Sequence, residues 1–162
     1  MAGQSVWADS AVGTAVFMSG SVLSSKHVNV KLSADVDNGN IVAIGALADG
    51  ESEAFVASKP AANTPISKLA LVKAPEVMKD DRLKNLGDFY NKSGSIVRAY
   101  LFESGDEFRL TAEGLSGTPA VGNAVEADAS YKLKAVSSAT SSSTQIGTII
   151  AVEGDYFVVR VA

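Results

Sequence analysis

From Ile96 to Ala162 the chain is a succession of short β-branched and aromatic runs broken by glycine-centred turns, the pattern of antiparallel hairpins. The closing stretch is the plainest case. Thr148–Glu153 and Tyr156–Val161 are strand-forming runs separated only by Gly154 and Asp155. Glycine takes the positive φ that a tight hairpin demands and aspartate tolerates it, so the two runs are expected to pair and to tie the C-terminus into a sheet. The same third holds no arrangement of side chains that suggests a catalytic centre.

A chain of 162 residues is long enough for one domain, or one domain with an extra lobe. At that size it buries roughly 70% of its unfolded surface and needs no disulfide or metal to fold. With no cysteine, structural disulfides, thiolate metal sites and thiol nucleophiles are excluded together. The formal charge of −4 makes the overall field mildly repulsive toward nucleic acid and anionic membranes. No apolar run reaches the ~18 residues of a membrane span. No basic segment precedes an apolar core near Met1, so a soluble, unexported protein is expected.

Residues 1–26 are set apart by small, nearly uncharged residues with Trp7, Phe17 and Met18 among them. Two readings stand: one or two strands packed on the core, or an arm that orders against a partner with its large apolar side chains as anchors. From Val28 the alternation of Val28, Val30 and Leu32 with polar residues marks a half-buried strand, and Asn38–Gly39 signals a hairpin returning through Ile41, Val42 and Ile44. Strands are expected over Glu53–Ser58 and Lys68–Ala74, separated by a proline-containing loop. One short helix is expected over Lys79–Leu86, begun by Asp80 and Asp81 and stopped by Gly87.

Ile96–Glu103 is expected to turn through Ser104–Asp106 and pair with Glu107–Thr111, burying Phe108 and Leu110. Gly114–Gly122 reads as a loop, Ala124–Glu126 and Tyr131–Val136 as brief strands, and Ser137–Ser143 as a low-complexity surface loop. The fold class that follows is all-β: a small barrel or sandwich of short hairpins with one short helix and an extended N-terminal arm. Residues 1–26 form the arm and 27–162 one β-rich domain, with sub-lobes 27–75 and 95–162 joined by the helical segment 76–94.

The search for chemistry returns little. His27 is the sole histidine, so histidine metal sites are excluded and a Ser–His–Asp triad would rest on it alone. Asp35–Gly39 matches the start of a calcium loop, but Gly39 occupies the fifth position and Ala46 the twelfth, where a bidentate glutamate belongs. A turn held by Asx side chains accounts for those residues. Gly114, Gly117 and Gly122 lack the Lys-Ser or Lys-Thr of a phosphate loop. Aromatic residues in the C-terminal half are interleaved with acids, as in Asp155–Tyr156, contrary to what single-stranded nucleic acid requires. No enzyme activity, metal or cofactor is expected.

Several segments resemble a family of capsid decoration, or cement, proteins encoded in tailed-phage head modules. They are Asp35–Gly45 (DVDNGNIVAIG), Leu69–Val77 (LALVKAPEV), Asn85–Asn91 (NLGDFYN), Ala99–Tyr100 leading to Gly105–Phe108, Gly117–Gly122 (GTPAVG) and the hairpin from Gly147. The order and spacing of these segments, from about residue 28 to the end, carry the resemblance. It implies a structural virion protein on the outer capsid surface, made in the host cytoplasm, that bridges neighbouring major capsid subunits. Implied partners are the major capsid protein and neighbouring copies of the chain, as monomer or trimer, with neither nucleic acid nor membrane. Trp7, Val12, Val16, Phe17 and Met18 are the candidate partner-binding residues, acting through strand addition by the arm. A virion-surface module that binds host glycans is the alternative, using Tyr, Trp and carboxylates around loops such as Ser137–Ser143.

Overall fold

The computed structural model describes residues 17–19, 26–74 and 90–162, the first of these through the backbone alone. Five strands close into a barrel: β2 (His27–Leu32), β3 (Ile41–Leu47), β4 (Ala54–Ser58), β5 (Leu69–Val72) and β6 (Ile96–Leu101), in the order β2-β4-β3-β5-β6. The other seven make one sheet: β1 (Phe17–Ser19), β7 (Glu107–Thr111), β8 (Leu115–Gly117), β9 (Ala124–Glu126), β10 (Leu133–Val136), β11 (Gln145–Glu153) and β12 (Tyr156–Val161). Their order is β1-β7-β12-β11-β9-β10-β8. The all-β expectation holds. The helix expected over Lys79–Leu86 lies outside the described residues.

The barrel and the sheet share β5 as a wall. Its four residues are all buried, because each face of the strand meets a different core. Ala70 and Val72 point into the barrel with Val30, Leu32, Val42, Ala57 and Ala99. Leu69 and Leu71, joined by Ile41, pack instead on Phe108, Leu110, Leu133, Ile146, Ile149 and Val159 of the sheet. An unbroken apolar run is the mark of a strand covered on both sides. Each such leucine contributes roughly 1.5–3 kcal/mol by leaving water.

Two expected hairpins do not form. Asn38–Gly39 does not join β2 to β3, since β2 pairs in parallel with β4 and antiparallel with β6. Gly39 does adopt a positive φ of 96°, but the loop is folded inward, with Asp37, Asn38 and Asn40 buried. Likewise the turn Ser104–Asp106 does not fold β7 back on β6. The chain crosses there from barrel to sheet, and β7 pairs with β12 and β1. The division between barrel and sheet therefore falls in residues 102–106 rather than ahead of residue 95. Phe108 and Leu110 are nevertheless fully buried, as alternation requires. The expected loop Gly114–Gly122 contains β8, which runs parallel to β10 at the sheet's edge.

The closing hairpin is as read. Glu153 opposes Tyr156 across Gly154 and Asp155, with Gly154 at φ 61°. A register shift at Ile149/Ala151 marks a bulge.

Candidate functional site

Of the candidate partner-binding residues, Trp7, Val12 and Val16 lie outside the described residues. Phe17 and Met18 fall in β1, whose backbone pairs antiparallel with β7: Phe17 opposes Arg109, Met18 opposes Phe108 and Ser19 opposes Glu107. Part of the expected arm is thus the outermost strand of the seven-stranded sheet among the described residues. Eight residues after Ser19, His27–Lys31 begins its run against Ile96–Tyr100 in the barrel. Seven residues separate Ser19 from His27 and six separate Tyr100 from Glu107, so the two pairings share a register to within one residue.

The crossing itself carries an acidic pair. Glu103 accepts an ion pair from Lys26 at 2.8 Å, on the exposed side. Asp106 is buried; its Oδ2 accepts the Glu103 N–H at 3.2 Å while Oδ1 has no partner. Burial pushes the Asp106 pKa above its ordinary value of 3.8, against the pull of that backbone hydrogen bond. A raised folded pKa means that this group favours the fold below its ordinary value and opposes it as pH rises through the folded one. Asp106→Asn keeps the acceptor for Glu103 and removes the buried charge. It is expected to raise stability at pH 7 by about 1 kcal/mol, and equal urea midpoints for the two proteins at that pH would contradict this.

Elsewhere the candidate chemical residues are occupied in holding loops. His27 is exposed and stacks at a tilt on Tyr100, with ring centroids 6.0 Å apart. Asp35 accepts the Ser93 N–H at 2.8 Å, and Asn40 Oδ1 accepts the Asp37 N–H at 2.9 Å, so Asx side chains hold this turn, as expected in place of a calcium loop. Among the described residues no three His, Cys, Asp or Glu side chains are grouped to hold a metal ion. No helix among them is long and apolar enough to cross a membrane.

The loop Ser137–Ser143 is anchored by a residue the sequence did not suggest. Glu126 is buried on β9, where its Oε2 accepts the Thr140 N–H at 3.0 Å and the Gln145 side-chain amide at 2.8 Å. Burial alone would raise its pKa, but these hydrogen bonds, with Lys134 nearby, bring it below the ordinary 4.5. Its contribution to stability is complete above that value and is lost as pH falls through the lower folded one.

At the tip of the closing hairpin lies a cleft of about 470 Å³, lined by Thr111, Ala112, Glu113, Gly154, Asp155, Tyr156 and Phe157. Thr111 and Tyr156 are directly opposed in the β7–β12 ladder, so their side chains stand together on one face. Thr111 is buried and its hydroxyl has no hydrogen-bond partner. Glu113 sits in a one-turn 3-10 helix, Ala112–Gly114, and Asp155 in the hairpin turn, both exposed.

No protein-family model matches the chain, and a search of curated proteins returns no relative.

Proposed function

We propose that this protein is a capsid decoration protein, which binds the outer surface of a phage capsid and stabilises the shell by bridging neighbouring major capsid subunits. The observation that carries the reading, beside the sequence resemblance, is the placement of Phe17–Ser19 as an edge strand of the sheet among the described residues. An edge strand keeps one row of backbone donors and acceptors open, and residues 1–16 lead directly into it. Strand addition to a capsid sheet from that edge would use backbone hydrogen bonds for affinity and large apolar side chains such as Trp7 for anchorage. Each copy would add contacts that shell expansion or rupture has to break. Many identical sites make modest single contacts effective.

The pairing of β1 also sets where the segment can be cut. A deletion of all of residues 1–26 would remove a sheet strand and the Lys26 carbonyl that accepts the Leu101 N–H at 3.0 Å. A chain beginning at Phe17 keeps both. Co-sedimentation with empty capsids of its own phage, at high salt, is expected to show saturable binding of the full chain at a fixed ratio to the major capsid protein. The chain beginning at Phe17 is expected to bind about tenfold or more weakly, as when a single anchoring side chain is lost. Undiminished binding by the shortened chain would remove the arm from the mechanism. Absence of binding by the full chain, to immature and expanded shells alike, would reject decoration itself.

A further inference from the structure

We infer that Asn38–Gly39 is a conditional site of backbone modification: the folded loop protects it from deamidation, and deamidation, once it occurs, traps the loop open. This inference does not rest on capsid binding and is independent of it.

The chemistry needs only these two residues and water. The Gly39 backbone nitrogen attacks the Asn38 side-chain carbonyl carbon and gives up its proton, and Nδ2 leaves as ammonia. Water then opens the five-membered succinimide at one of its two carbonyls, leaving aspartate or isoaspartate at position 38. Glycine is the most permissive following residue, because it has no β-carbon to obstruct the ring. The chain contains two pairs in which Asn or Asp precedes glycine, Asn38–Gly39 and Asp49–Gly50. An amide loses ammonia more readily than a carboxyl group loses water, so Asn38 is intrinsically the faster of the two.

The fold opposes that order. Asp49 and Gly50 are exposed in the turn between β3 and β4. Asn38 is 7% exposed. Its Oδ1 accepts the Ala74 N–H at 2.9 Å and the Asn91 side-chain amide at 3.1 Å. Its Nδ2, the leaving group, donates to the Ala74 carbonyl at 3.0 Å. The Gly39 nitrogen, the nucleophile, is engaged elsewhere, donating to the Val72 carbonyl at 2.9 Å. Attack requires that N–H to be released and the amide to rotate away from Ala74, so ring closure proceeds from an opened loop. Four hydrogen bonds are lost on the way, each lowering the open population by about a few-fold to tenfold.

The product does not fit where the asparagine did. Aspartate cannot donate to the Ala74 carbonyl, and it brings a charge into the loop beside Asp37, which is itself buried. Isoaspartate also lengthens the main chain by one carbon, in a loop pinned by Val36 to Asn91 and by Gly39 to Val72. Both products oppose reclosure, so a transient opening becomes a permanent one.

The test is peptide mapping by mass spectrometry of the full chain, incubated at mildly alkaline pH either folded in buffer or unfolded in guanidinium chloride. Deamidation localised to Asn38 by fragmentation is expected to be about a hundredfold slower, or more, in the folded chain. Asn91→Ala keeps both reacting residues and deletes one bond to Oδ1. It should speed deamidation of the folded chain about fivefold and leave the unfolded rate unchanged. Equal rates in folded and unfolded chains, or a folded rate that Asn91→Ala does not alter, would overturn the protection. The deamidated chain, separated by anion exchange for its added negative charge, should show a lower urea midpoint and faster hydrogen exchange at the Gly39 and Ala74 amides. An unchanged midpoint with unchanged exchange would overturn the trap.

Discussion

Gly147→Ala is expected to unfold the protein or to cost it about 4 kcal/mol or more, at the extreme of single-substitution effects. Gly147 sits on β11 opposite Val161, where β11 also shifts register against β9. A β-carbon built there falls against the Arg160 carbonyl oxygen, with the Arg160 carbonyl carbon 2.8 Å away. The obstacle is backbone, so no side-chain rotation relieves it. The end of β12 would have to move off β11, breaking the ladder that runs from Gly147–Val161 to Glu153–Tyr156. That ladder carries Ile149, Val159 and Val161, all in the core shared with the barrel. A total stability of roughly 5–15 kcal/mol leaves little margin for such a loss. Urea unfolding followed by far-ultraviolet circular dichroism is the measurement. A loss below 1 kcal/mol would mean that β12 can shift without consequence, contrary to the packing. Gly154→Ala is the matched control: it also perturbs the hairpin, through a positive φ of 61°, yet its added carbon meets nothing within 4 Å.

The same hairpin shows what the sequence makes legible. Its two strands are adjacent in the chain and its turn needs glycine, so local patterning suffices. The burial of Phe108 and Leu110 was equally open to reading, because alternation along one strand does not depend on what lies beside it. Pairing partners were not. The Asn38–Gly39 dipeptide is a hairpin signal only when its flanking strands are free to meet, and both edges of β2 are taken by β4 and β6. The parallel pairs β2–β4 and β8–β10 join strands whose intervening chain returns from elsewhere, and nothing local announces them. Ser104–Asp106 makes the tight turn its composition implies, with the Asp106 N–H donating to the Glu103 carbonyl at 3.1 Å, but the turn carries the chain across to the sheet, where Gly105 donates to the Val161 carbonyl at 3.0 Å.

Side-chain roles followed the same division. The calcium reading of Asp35–Gly39 was set aside from spacing alone, and a turn held by Asx side chains was legible from residue type. Glu126 was not, because a carboxylate buried fourteen residues from the Thr140 amide it accepts has no compositional trace. The cleft was half visible. Asp155–Tyr156 stood out as an acid beside an aromatic, but Thr111 and Glu113 join it only through the β7–β12 ladder. A sequence cannot show that register without knowing that β7 leaves the barrel.

The turn that proved not to be a hairpin is the basis of the second large effect. Asn38→Ala is expected to destabilise the protein by about 3 kcal/mol, since it strands three partners at once, one of them buried. Asn38 Oδ1 accepts the Ala74 N–H at 2.9 Å and the Asn91 side-chain amide at 3.1 Å, while its Nδ2 donates to the Ala74 carbonyl at 3.0 Å. One side chain thus copies the pairing that a neighbouring strand would give Ala74. The surrounding loop is fastened by the reciprocal bonds of Val36 and Asn91, and by Gly39 donating to Val72 at 2.9 Å. Ala74 and Asn91 bracket residues 75–90, so the asparagine holds the chain at both ends of that segment. Alanine would leave the half-buried Ala74 amide and carbonyl and the buried Asn91 side-chain amide without these partners. Aspartate would keep the acceptor but could not donate to Ala74, and would bury a charge, so it should do no better. Urea unfolding reads the loss, and hydrogen exchange at the Ala74 amide locates it: exchange there should accelerate more than at Leu71 in the preceding strand β5. A variant within 1 kcal/mol of the parent, with Ala74 equally protected, would show that backbone bonds alone hold the loop.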